Sequence, residues 1–148
     1  MLRFPDHRRF ALCVLIFLVF IIIVIGITNS RPDTFGRGAG WVETMLIPSI
    51  NQAATALAAH GVTIRLDTNL DRKSTNHAHA DFWLATKDNS LQGPKHSINV
   101  LSDVIMLYKA GASGRSLGAI DKFGTPQLNA LLASAAEEFG QLMQEASV

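Results

Sequence analysis

Cysteine is almost absent: the chain of 148 residues has one, Cys13. From Arg31 onward there is none, so that part can form no internal disulfide and offers no thiol for nucleophilic or redox chemistry. A charge bias is lacking as well. Thirteen Lys and Arg stand against twelve Asp and Glu, a net charge of +1. No basic field gathers to hold nucleic acid, and that partner class is set aside. Phosphate-loop chemistry is also missing. Gly36-Arg37-Gly38-Ala39-Gly40 lacks the Gly-Lys-Ser/Thr ending, and no strand precedes it. There is no G-x-S-x-G elbow, and Gly111-Ala112-Ser113-Gly114 shares only its glycine content. Internal repeats and low-complexity segments are absent too. No cofactor is expected. An active site dispersed along the chain stays open, because catalytic residues need not be neighbours in sequence. The balance of the residues is nonetheless against an enzyme.

What the chain does have is a long apolar run. Phe10 to Ile27 contains only Phe, Ala, Leu, Cys, Val, Ile and Gly. A bilayer core of roughly 30 Å needs about 20 apolar residues in a helix. Residues 10–29 are therefore expected to form a transmembrane signal anchor, with Phe10, Leu15, Phe20 and Ile25 among the side chains that meet lipid. A cleaved signal peptide has a shorter apolar stretch of about 7–15 residues and a small-residue cut site; no Ala-x-Ala follows here. Cys13 sits inside the run and cannot begin a mature lipoprotein. Arg3, Arg8 and Arg9 precede the run, while Arg31 and Arg37 follow it. The positive-inside rule places residues 1–9 in the cytoplasm and the rest outside. Residues 30–40 read as a glycine-punctuated linker, and residues 41–148 as the extracytoplasmic domain.

Within that domain the periodicity suggests two helices and several strands. Leu46, Ile50, Ala53, Ala54 and Leu57 share one face of a helix over Trp41 to His60, with Gly61 placed to end it. Pro48 implies either a kink or the start of a second helix. Trp41 fits either an interfacial anchor or a core position. Val62 to Leu66 alternates as a half-buried strand. Ala78, Ala80, Phe82 and Leu84 alternate with His77, His79, Asp81 and Trp83 in another. Residues 98–108 fit strand and helix patterns, and their β-branched residues favour a strand whose apolar side is Ile98, Val100, Val104, Met106 and Tyr108, with Ser102 the one mismatch. Ser116 to Ile120 reads as a short edge strand. Thr125 is placed to cap a long helix to Ala146, whose stripe runs through Leu128, Leu131, Leu132, Ala135, Phe139, Leu142, Met143 and Ala146. The fold class expected is α+β: an N-terminal transmembrane helix, then a small domain with an antiparallel sheet of three or four strands packed against two helices.

His77, His79 and Asp81 are the grouping with candidate chemistry. Residues two apart in a strand point to one side, and two imidazoles with a carboxylate can begin a metal site. A fuller ligand set is not specified; His60 and His96 would add to it only if the fold brings them near. The alternative is a polar solvated sheet face. Trp83 and Arg65 on that face are candidate partner contacts, since aromatic residues and Arg are enriched at contact sites.

The function expected from this layout is a protein-binding or assembly module of the cell envelope, of the kind secretion or conjugation machines use, held in a bacterial inner membrane and contacting a protein partner or a second copy. Two alternatives stand beside it. One is a membrane-tethered metal-binding protein or hydrolase using His77, His79 and Asp81. The other is a small solute- or lipid-binding domain, which needs an apolar cavity between sheet and helices.

Overall fold

In the computed structural model, which describes residues 33–71 and 76–147, five short segments are strands. They are β1 (Val62–Thr68), β2 (Ala78–Thr86), β3 (His96–Leu101), β4 (Val104–Lys109) and β5 (Arg115–Ala119). Each pairs antiparallel with the next, so the sheet is a meander in the order β1-β2-β3-β4-β5. One unit begins at Thr34 and holds the whole sheet.

The helical layer comes from two stretches. The first is a continuous arm: α1 (Thr34–Trp41), a π-helical segment (Val42–Leu46) and α2 (Ile47–Ala58). Pro48 accounts for the middle piece. Its ring needs room near the carbonyl four residues back, and it has no N–H to give. In the π segment the Ile47 N–H bonds to the Val42 carbonyl, five residues back. The widened turn lets the chain reach Pro48 in the first turn of α2 without ending the arm. Gly61, at φ +72°, then reverses the chain into β1. The second stretch is α3 (Thr125–Glu145). Its N-cap is Gly124 and not Thr125, and the Gln127 side chain accepts the Gly124 N–H at 3.1 Å.

Both helices lie on one face of the sheet. That inner face carries Ala78, Ala80, Phe82 and Leu84 from β2, Ile98 and Val100 from β3, and Ile105 and Leu107 from β4, all buried. Val42, Leu46 and Ile50 meet them from the arm, and Leu128, Leu132, Ala135 and Phe139 from α3. Burying each large side chain contributes about 1.5–3 kcal/mol. Trp41 belongs to this core as well. It is buried, and its Nε1–H donates to the Phe123 carbonyl at 3.2 Å.

Several expectations change. The sheet has five strands, not three or four. Residues 98–108 are not one strand: Ser102 and Asp103 form a hairpin turn, with Ser102 at φ +57°. The turn shifts the alternation, so Ile105 and Leu107 face the core while Val104, Met106 and Tyr108 take the other side. The linker reading of residues 30–40 gives way from Thr34 onward, because Gly36, Gly38 and Gly40 lie in α1. Among the described residues no helix is long and apolar enough to cross a membrane. The anchor expected over residues 10–29, with Phe10, Leu15, Phe20 and Ile25, lies outside the described residues. The fold class is therefore corrected to an α+β domain, a five-stranded antiparallel sheet against two helices. The single-pass topology, the inner-membrane location and the lipid contact are not carried further.

Candidate functional site

The expected site lies on the outer face of β2. His79 and Asp81 do share that face, with His79 Nε2 3.8 Å from Asp81 Oδ1. Asp81 has a second partner, the Lys95 ammonium at 3.3 Å. His77 precedes β2, and its carbonyl accepts from the Asn69 side chain at 3.0 Å, while Asn69 Oδ1 takes the His79 N–H at 2.7 Å. His96 cannot join them, because it sits opposite buried Phe82 on the inner face. His60 lies in the turn after α2. Among the described residues no three His, Cys, Asp or Glu side chains gather to hold a metal ion. His77, His79 and Asp81 therefore assemble no metal site among the described residues, and the metal or hydrolase reading built on them is not carried further. Trp83 is half-buried with the Lys95 ammonium 5.2 Å from its ring centroid, and exposed Arg65 stands opposite it in register. Lys95 thus lies against the aromatic surface expected to meet a partner.

The inner face holds a different set of polar residues. Two rows cross the sheet there: Leu66, Phe82, His96 and Lys109 in one, and Ala80, Ile98, Leu107 and Arg115 in the next. Both rows begin apolar and become charged toward the β4–β5 end. The first and middle turns of α3 run above that end, and a cleft of about 210 Å³ opens between helix and sheet. His96, Lys109, Ser113, Arg115, Ser134 and Glu138 line it. Arg115 also lines an adjoining cavity of about 300 Å³ beside Leu117 and Gln127.

Within the cleft Lys109 Nζ donates to Glu138 Oε1, and the other carboxylate oxygen is 4.0 Å from His96 Nε2. His96 is only 5% exposed and stacks on Phe82, with centroids 4.9 Å apart and planes 11° from parallel. Its Nδ1 has no hydrogen-bond partner among the described residues. Burial holds the His96 pKa below its ordinary value. Glu138 pulls it upward, Lys109 pushes it down again, and the Pro94 carbonyl raises it weakly without meeting hydrogen-bond geometry. Arg115 is exposed and makes no ion pair with an acidic residue among the described residues.

The chain matches no protein family, no curated protein and no solved structure. The site must therefore be read from its own chemistry.

The envelope-assembly reading rested on the anchor and on the outer face. No helix among the described residues is long and apolar enough to cross a membrane, so that reading, with the protein-partner and self-association expectations attached to it, is not carried further. The apolar-cavity reading is not carried further: the core fills the space between sheet and helices, the cleft beneath α3 carries charged side chains, and the apolar groove of about 280 Å³ lies between α2 and α3 rather than against the sheet.

The sequence did carry a signal for these residues. His96 alternates in phase with Ile98 and Val100, and Lys109 with Ile105 and Leu107. Polar side chains in phase with core positions are the informative kind. The signal becomes readable only once the Ser102–Asp103 turn fixes which residues of β4 point inward.

Proposed function

We propose that the domain binds a small anion, a carboxylate or a sulfate-like oxyanion, in the cleft between α3 and the β3–β5 end of the sheet. The observation that carries this reading is Arg115, a guanidinium with no acidic partner among the described residues, at the mouth of a concave site. A planar fork of N–H donors suits a carboxylate or oxyanion bidentately. Lys109 already neutralises Glu138, so the carboxylate in the cleft does not cancel the field of Arg115. At about 210 Å³ the cleft is smaller than the roughly 300–1,000 Å³ typical of drug-sized ligands, which favours a small ligand. Binding is favoured over catalysis because neither Ser113 nor Ser134 is hydrogen-bonded to His96 or Glu138 among the described residues. A nucleophile needs a base within reach.

The test is a titration of the full chain with sulfate and with acetate at constant ionic strength, followed by amide NMR. Saturable shifts should centre on Ser113, Arg115 and Glu138. Arg115→Met should weaken binding by about tenfold, the scale of a lost charge-assisted pair. Arg65→Met, on the opposite face, should leave it unchanged. Equal weakening by both variants, or shifts that never saturate, would sink the reading.

A further inference from the structure

We propose that the cleft takes up its anion together with a proton, which settles on His96. This rests on the anion reading above and adds its regulation. His96 is buried yet lines the cleft, so the charge of whatever occupies the cleft acts on the imidazole. The groups around it are few. Glu138 faces it from α3, Lys109 from β4, and Arg115 lines the same cleft from β5. Phe82 from β2 covers its ring and brings no charge. Lys95, its chain neighbour, is engaged with Asp81 on the other face.

In the free domain Glu138 is shared unequally: it is bonded to Lys109 and stands at 4.0 Å from His96 Nε2. The imidazole therefore has one distant carboxylate to stabilise a positive charge. An anion held by Arg115 brings a second negative charge into the cleft. That charge favours the imidazolium, and the protonated ring then draws on Glu138 and on the ligand. By linkage, an anion that raises the proton affinity of His96 must itself bind more tightly where His96 is protonated.

Sulfate is the probe, because its charge does not change over the range concerned. The His96 ring resonances of the full chain are followed by NMR between about pH 8 and pH 4.5, with and without saturating sulfate, and sulfate affinity is measured at about pH 5.5 and pH 7.5. Three results are expected. The His96 midpoint in the free protein lies below the ordinary 6.5. Sulfate moves that midpoint upward. Affinity is about three- to tenfold higher at the lower pH, and the ratio of the two affinities falls to about one in His96→Phe. Glu138→Gln in the free protein should lower the midpoint further, a readout that needs no ligand. Should sulfate bind through Arg115 with equal affinity at both pH values, or should His96→Phe keep the pH dependence, the proton coupling is overturned while anion binding stands. An unmoved midpoint in Glu138→Gln overturns it as well. Absence of saturable sulfate binding at both pH values removes the anion reading itself.

Discussion

A methyl group added at Gly38 would lie 3.0 Å from Val100 Cβ and 3.2 Å from Ala78 Cβ. These contacts are tighter than ordinary packing, and both neighbours sit on paired strands that cannot easily retreat. Gly38 is thus a point of close approach between α1 and the sheet. Gly40, two residues on, would meet nothing within 4 Å. The pair gives a comparison in which only local space differs. Ala is worth roughly 0.5–1 kcal/mol over Gly in a helix interior. Overpacking a tight site costs typically 1–3 kcal/mol. Gly40→Ala should therefore stabilise by about 0.5–1 kcal/mol, and Gly38→Ala should destabilise by about 1–2 kcal/mol once the propensity gain is subtracted. Urea midpoints read both. Opposite signs support the close approach; a stabilising Gly38→Ala would mean that α1 can lift from the sheet without cost.

At the scale of elements, the β3–β4 hairpin decides what the cleft contains. Leu101 pairs with Val104, so Ser102 and Asp103 alone make the turn. Ser102 does so at φ +57°, a conformation that costs an L residue roughly 1–2 kcal/mol. Arg37 steadies the turn through Asp103 at 2.7 Å, and the Asp103 carbonyl accepts the Ile120 N–H at 2.9 Å. Ser102→Gly should stabilise the fold by about 0.5–1 kcal/mol, the strain relieved less the added chain entropy. Thermal melts of the two proteins check it, and a loss of stability would show that the serine holds the turn by its side chain. The same turn explains what could be read from the sequence. Strand β2 and helix α3 were legible because each keeps one period over its whole length. The β3–β4 hairpin was not, because a two-residue turn inside an apolar stretch leaves both alternations plausible. The same ambiguity reaches the site. With Val104, Met106 and Tyr108 taken as the core side, Lys109 would face solvent and join no cleft. His77, His79 and Asp81 are legible as a group because they stand two residues apart in one short segment. His96, Lys109, Arg115 and Glu138 come from four elements, and only the sheet register and α3 bring them together.

For the whole molecule, the question is how stability depends on pH when a histidine is buried inside the domain. Burial lowers the His96 pKa in the folded state, whereas in the unfolded chain it takes its ordinary value of 6.5. Between those two values the unfolded chain binds more protons than the folded one, so stability rises with pH. The contribution is fully present above 6.5 and is lost as pH falls through the folded-state value. Asp88 acts in a separate window. Hydrogen bonds from Thr86 and then Ser90 lower its pKa from 3.8 to about 2, so its contribution is present above 3.8 and is lost only as pH falls toward 2. A loss of stability just below neutrality therefore reports on His96 and not on that loop. His96→Phe keeps an aromatic ring to stack on Phe82 and removes the titrating group. In chloride buffers the natural chain should lose urea resistance from about pH 7 to pH 5, and His96→Phe should lose much less. Sulfate should flatten the slope of the natural chain, because an anion in the cleft offsets the cost of charging the imidazole. A natural chain whose urea midpoint stays constant across this range would mean that His96 is charged in the fold without penalty. In that case its burial beside Phe82 would not control its proton.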